Sequence, residues 1–107
     1  MQINVNSKNL DMTPNIEEYA HSKAEKLMRF YDRIEKIDVK IEKTTHGFTT
    51  EVITDVEHHD NIVSTSESND MHAAIDSCID KSVRQLTDLK NKLRGHKHNT
   101  PAGGQDR

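Results

Sequence analysis

The stretch DMHAAIDSCIDKSVRQLTDLKNKLR, residues 70–94, decides the fold. Asp70 is a good N-cap, because its carboxylate accepts from the free N–H groups of a first helical turn, and no Gly or Pro follows until Gly95. Helical spacing gathers Ile75, Ile79, Ser82, Val83, Leu86, Leu89 and Leu93 on one side, which predicts a long helix packed on a core. Cys78 falls on the flank of that arc, where a small half-buried residue is expected rather than a nucleophile. The opposite side collects Lys81, Arg84, Asp88 and Lys92. Three cations at turn spacing can meet successive phosphates of a nucleic acid, although such a face, taken alone, is more often simply solvated.

Working back from Asp70, residues 62–67, IVSTSE, read as a strand whose inward positions Ile62, Ser64 and Ser66 are small enough to let a helix approach closely. Before it, FTTEVITDVE at 48–57 alternates with Phe48, Thr50, Val52, Thr54 and Val56 on one face, and IDVKIEK at 37–43 turns Ile37, Val39 and Ile41 inward. His46-Gly47 and Asp60-Asn61 are the expected turns between these strands. Further back, Thr13-Pro14 reads as an N-cap with Pro at the first helical position. It opens a helix striped by Ile16, Tyr19, Ala20, Ala24, Leu27, Phe30, Tyr31 and Ile34, with Lys26, Arg29 and Arg33 along one flank. Lys23 lies inside the apolar arc and is expected to bury its stem and lift its ammonium to the edge. Residues 2–6, QINVN, form a short strand through Ile3 and Val5.

The order β-α-β-β-β-α predicts an α+β two-layer sandwich: a four-stranded sheet with both helices on one face and a crossover joining the first two strands. One domain over 1–94 and a disordered polar tail over 95–107 follow from the 107-residue length and the composition of the end. One cysteine excludes an internal disulfide framework, and no apolar run resembles a signal peptide or a span, so a cytoplasmic protein without a membrane partner is expected. The net charge of −3 is unevenly spread. Residues 1–36 carry six basic and six acidic groups, 37–80 two and ten, and 81–107 seven and two. A basic end and an acidic middle can present one positive surface to a polyanion despite the sum.

Little in the chain invites catalysis. Seven histidines include His58-His59 and His96-x-His98, but neighbours on an extended segment point apart and a tail does not make the rigid three- or four-ligand shell that zinc needs. Asp76 and Asp80 precede Lys81 and Arg84 at helix-surface pairing distance, which explains them without acid–base chemistry. With no phosphate loop, GxSxG or HExxH, the reading is a binding protein with no cofactor, metal or small-molecule substrate.

Several motifs also carry a family likeness: FYDRI at 30–34, DMHAAID at 70–76, DK at 80–81, RQL at 84–86 and the run Lys90, Lys92, Leu93. In that order the chain resembles, over about residues 1–94, the short single-domain form of the ribosome hibernation promoting factors. The resemblance implies the same β-α-β-β-β-α fold, similar to double-stranded RNA-binding domains. It also implies binding to the small ribosomal subunit between head and body, over the mRNA path and the A and P sites, with translation reversibly blocked and idle ribosomes stabilised or paired. The positions that match the family's ribosomal-RNA contacts are Lys23, Lys26, Arg33, Lys81, Arg84, Lys90 and Lys92, with Arg29 and Arg94 beside them. His72 stands where the family motif has tyrosine, and the Ser/Thr-rich fourth strand replaces alanines. A free-standing module for double-stranded RNA is the alternative reading.

Overall fold

The computed structural model describes residues 2–98, with side chains described as far as Lys92. Six elements follow in order: β1 (Gln2–Lys8), α1 (Pro14–Phe30), β2 (Ile34–Thr44), β3 (Gly47–Val56), β4 (Ile62–Ser68) and α2 (Met71–His98). The strands lie side by side in chain order. β1 pairs parallel with β2, Ile3 opposite Ile37 and Val5 opposite Val39, as a crossover through α1 requires. β2–β3 and β3–β4 are antiparallel hairpins.

Period-2 alternation sends Ile37, Val39, Ile41, Thr50, Val52, Thr54, Val56, Ile62, Ser64 and Ser66 to the covered face, where all are buried. Both helices lie over that face and share one core, α1 through Ala20, Ala24, Leu27 and Met28, α2 through Ile75, Cys78, Ile79, Leu86 and Leu89. The other face of the sheet is open and polar. There Asn4 donates to Asp38 at 2.9 Å, and Lys36 sits 3.6 Å from Asp38 and 3.8 Å from Asp55.

Both helix starts are as the sequence predicts. Thr13 Oγ1 accepts from Ile16 N–H at 3.3 Å, and the Asp70 carboxylate accepts from His72 N–H at the same distance. The ends differ. α1 stops at Phe30 because Tyr31 turns extended (φ −144°, ψ 119°), its N–H still donating to the Leu27 carbonyl. Tyr31 and Ile34 are buried as predicted, but beyond the helix: Ile34 opens β2. An irregularity in the β2–β3 register between Ile34 and Lys36 switches the alternation, so that both Ile34 and Ile37 point inward. A helical repeat and a bulged strand thus leave the same apolar spacing.

α2 runs through Gly95 to His98, past the stop expected there. A glycine inside a helix costs about 1 kcal/mol relative to alanine and ends it only when it takes up the left-handed cap. The rest of the tail, 99–107, lies outside the described residues. The first hairpin turn is Thr45-His46, one residue earlier than predicted, with Gly47 as the first residue of β3. A Cβ on Gly47 would stand 2.4 Å from the Ser68 carbonyl oxygen, so the glycine admits the end of β4.

α2 comes close to the sheet over a seam of small polar groups. Ser82 Oγ donates to Ser64 Oγ at 3.0 Å, and the Cys78 sulfur lies 3.2 Å from the Ser64 carbonyl and 3.4 Å from that of Thr50. Cys78 is therefore fully buried, not half-buried, because serine opposite leaves room for it. The hydroxyls of Thr50 and Thr54 are buried in the same layer without a partner among the described residues.

Two substitutions test this packing in opposite directions. Leu86, fully buried under α2, should cost about 2–5 kcal/mol on change to alanine. Thr54→Val deletes an unpartnered buried hydroxyl while keeping shape, and should raise the melting temperature by a few degrees, about 1 kcal/mol. A thermal melt that falls for Thr54→Val would mean that the hydroxyl has a partner.

Candidate nucleic-acid interface

The strand senses set the helices parallel to one another, α1 antiparallel to β1 and β2 and α2 antiparallel to β4, the strand it follows. Three contacts fix their alignment. Near the start of α2, Tyr19 Oη donates to Asp76 Oδ1 at 2.6 Å and Lys23 Nζ lies 3.4 Å from the same oxygen. Near the end of α1, Lys90 Nζ sits 4.7 Å above the Phe30 ring and donates to the Phe30 carbonyl at 3.4 Å. A cation at a helix C-terminus faces the unpaired carbonyls and negative dipole end. These contacts bridge the groove along which the two helices lie side by side.

The predicted cations do not all lie on one surface. By helical phase Tyr19, Lys23, Lys26 and Phe30 share the α2-facing flank of α1, so Lys26 stands exposed at the groove, whereas Arg29 is exposed on the other flank, beside His21, Glu25 and Ile3 of β1. On α2, Lys90 faces α1 and Arg84 points outward. Lys81 and Lys92 occupy the far flank, above β4. There Lys81 Nζ donates to the Thr65 carbonyl at 2.8 Å, and Gln85 Nε2 to the Val63 carbonyl at 3.1 Å. Both side chains satisfy acceptors of an edge strand that would otherwise be open to pairing.

Arg33 is not on α1. It lies in the turn before β2, where it donates to Glu57 Oε1 at 3.2 Å while Glu57 N–H donates to its carbonyl at 2.8 Å. The side chain of Arg94 lies outside the described residues, as do those of Leu93, His96 and His98. Lys26, Arg29, Arg84 and Lys92 are exposed and have no ion-pair partner among the described residues. Lys23, Arg33, Lys81 and Lys90 are already engaged within the protein.

Asp76 pairs across the groove with Lys23, not along its own helix with Lys81. A second helix offers it a phenol and an ammonium together, whereas a surface pair along one helix contributes only a few tenths of a kcal/mol. Asp76 holds the Lys23 ammonium above the ordinary lysine range by charge and hydrogen bonding, and its hydrogen bond, aided by burial, raises the Tyr19 phenol likewise. Tyr19 was expected only as an apolar stripe residue, and its role as clamp has no signal in local spacing.

No cluster of three or more metal-ligating side chains occurs among the described residues. His58 and His59 lie in the β3–β4 turn rather than on an extended segment, His58 with a positive φ of 59°. Burial pushes the Cys78 thiol up to about 12. No helix is long and apolar enough to cross a membrane among the described residues.

The buried thiol gives a direct probe. At pH 8.5 the folded protein should resist iodoacetamide, and Cys78 should label only as fast as the domain opens. Because the folded thiol titrates higher than the unfolded one, stability is complete below the unfolded value near 9 and declines as pH rises toward 12. Denaturant melts of Cys78→Ala should show a shallower alkaline decline; an equal one would place the effect elsewhere.

Comparison with known proteins adds an independent line. Residues 3–94 match the family model described as Sigma 54 modulation protein / S30EA ribosomal protein. The chain is 40% identical over 101 residues to proteins named ribosome hibernation promoting factor from Klebsiella oxytoca and Escherichia coli K12, covering 90% of this chain and all of each relative. It is 29% identical over 92 residues to ribosome-associated factor Y of Haemophilus influenzae, over 86% of this chain and 85% of that one. Among solved structures, a ribosomal subunit interface protein from Coxiella burnetii superposes with a TM-score of 0.75 at 22% identity, over 85% of this chain and 99% of that one. The N-terminal domain of Thermus thermophilus Protein Y gives 0.74 at 25%, over 83% and 99%.

Proposed function

The chain belongs to the ribosome hibernation promoting factor family, whose members are binding proteins rather than enzymes, and on that premise we propose that it associates with ribosomes in the cytoplasm and inhibits translation. In the finer form of this proposal it docks on the small subunit, in the channel between head and body. There it overlaps the mRNA path and the A and P sites, and contacts ribosomal RNA through phosphates. Its release restores translation, and idle ribosomes are stabilised, alone or in pairs, while it is bound.

One observation carries the reading. Lys26, Arg29, Arg84 and Lys92 stand exposed on the two helices without an internal ion-pair partner, while the acid-rich strands turn Asp38, Glu42, Glu51, Asp55 and Glu67 to the open face of the sheet. A polyanion is drawn to one side and repelled from the other. Lys23, Arg33, Lys81 and Lys90 add positive potential there but would have to exchange internal partners to grip a phosphate, so they are secondary contacts.

Phosphate contacts release counterions, so affinity should fall linearly in log–log with salt. We expect Lys26→Ala with Arg29→Ala, and Arg84→Ala with Lys92→Ala, each to lower occupancy on ribosomes in sucrose gradients and to flatten the salt dependence by roughly 1 to 2 in slope. Their melting temperatures should match the parent's. Lys8→Ala with Lys40→Ala, on the open sheet face, removes equal charge and should leave binding nearly intact. Equal losses from all three pairs would reduce the surface to bulk charge, and equally tight binding to any duplex RNA would make it a general RNA module.

A further inference from the structure

The phosphate surface proposed above uses no aromatic ring, yet an exposed imidazole stands at its upstream end. His72 lies in the first turn of α2 and is exposed. Its ring meets Tyr19 with centroids 4.4 Å apart and planes at 79°. Tyr19 is half-buried and committed: its hydroxyl donates to Asp76 at 2.6 Å, and Lys23 Nζ sits 5.4 Å over its ring. The phenol therefore backs the imidazole and fixes its orientation. Nearly perpendicular planes mean that His72 is not stacked face to face on Tyr19, so the phenol meets at most one face of the exposed imidazole.

Asp76 follows one turn later on the same side of α2. Its Oδ1 takes both Tyr19 and Lys23, whereas Oδ2 has no hydrogen-bond partner among the described residues, and the side chain is 44% exposed. A bare carboxylate would repel a phosphate backbone. Paired with Lys23, it is neutralised as a charge but keeps an acceptor, which is what the N–H edge of a base requires.

We infer that His72 and Asp76 form a nucleobase step at the head of the helix groove, where an unpaired base stacks on the imidazole and donates an edge N–H to Asp76 Oδ2. The inference rests on the RNA reading of the groove and adds to it a contact to a base rather than to a phosphate. Such a contact separates experimentally from the cations around it. Stacking releases no counterion, so its loss weakens binding without changing the salt slope, whereas loss of a phosphate contact does both.

The test measures binding of the full chain to purified 70S ribosomes across a salt series. His72→Ala should bind about tenfold more weakly, the order of one stacked base, with the same slope and an unchanged melting temperature. His72→Phe, which keeps a ring and has no charge or imidazole hydrogen bond, should recover most of the parent's affinity. Three outcomes overturn the step: His72→Ala binding within about twofold of the parent, a slope reduced by about one unit, which would make His72 a phosphate contact, or His72→Phe as weak as His72→Ala. A parent chain that does not bind ribosomes at all overturns the proposed function first and removes the premise of the step with it.

Discussion

Everything on the helical side depends on how closely α2 can approach the sheet. Ser82 meets Ser64 at 3.0 Å, with Cys78 beside them reaching two strand carbonyls. Larger inward residues on β4 would lift the helix away. Gln85 donates to the same Ser64 hydroxyl at 3.0 Å, so the seam is polar as well as narrow. That combination is demanding, because buried polar atoms must be satisfied, and the lone hydroxyls of Thr50 and Thr54 mark where the match is incomplete. Once α2 sits at this depth, its α1-facing side comes within hydrogen-bond reach of Tyr19, Lys23 and Phe30.

The alignment of the two helices then sorts the basic residues. Cations between the helices are drawn into internal partnerships, Lys23 with Asp76 and Lys90 with the end of α1. Cations over β4 guard a sheet edge, as Lys81 does through the Thr65 carbonyl. What remains outward is a smaller set, and that set carries the proposed surface. An ion pair at such part-exposed positions contributes little to stability. Its larger consequence is geometric, since it fixes which charges are available to a polyanion and which are already neutralised.

The open face of the sheet supplies the contrast. With strands in the order β1 to β4 and both helices on one side, alternation leaves one face for water, and the acidic middle of the chain falls on it. Within the pattern Lys36 is held by Asp38 and Asp55, which offsets part of their charge and leaves Glu42, Glu51 and Glu67 as the acids of that face without an ion-pair partner among the described residues. Val63 is the one large apolar side chain exposed among the described residues, and its edge-strand neighbour positions are polar. The sheet thus separates an acid-rich open face from a helical layer on which free cations stand among acids such as Glu17, Glu25, Asp80 and Asp88.

The element order, both N-caps, the inward face of every strand and the small residues under α2 were legible in the sequence. Each is a local property, set by periodicity or by one side chain reaching its own backbone. The family motifs were legible for the same reason, as short runs in fixed order. Helix ends were less so, because Tyr31 and Ile34 continue an apolar spacing that a helix and a bulged strand satisfy equally. Pairings were not legible at all. Tyr19 and Asp76 are 57 positions apart, and Phe30 and Lys90 are 60 apart. Sequence determined that cations line both helices; only the packing of α2 on small serines determined which of them meet an acid, a carbonyl or the solvent, because that depends on distances between elements that no local pattern encodes.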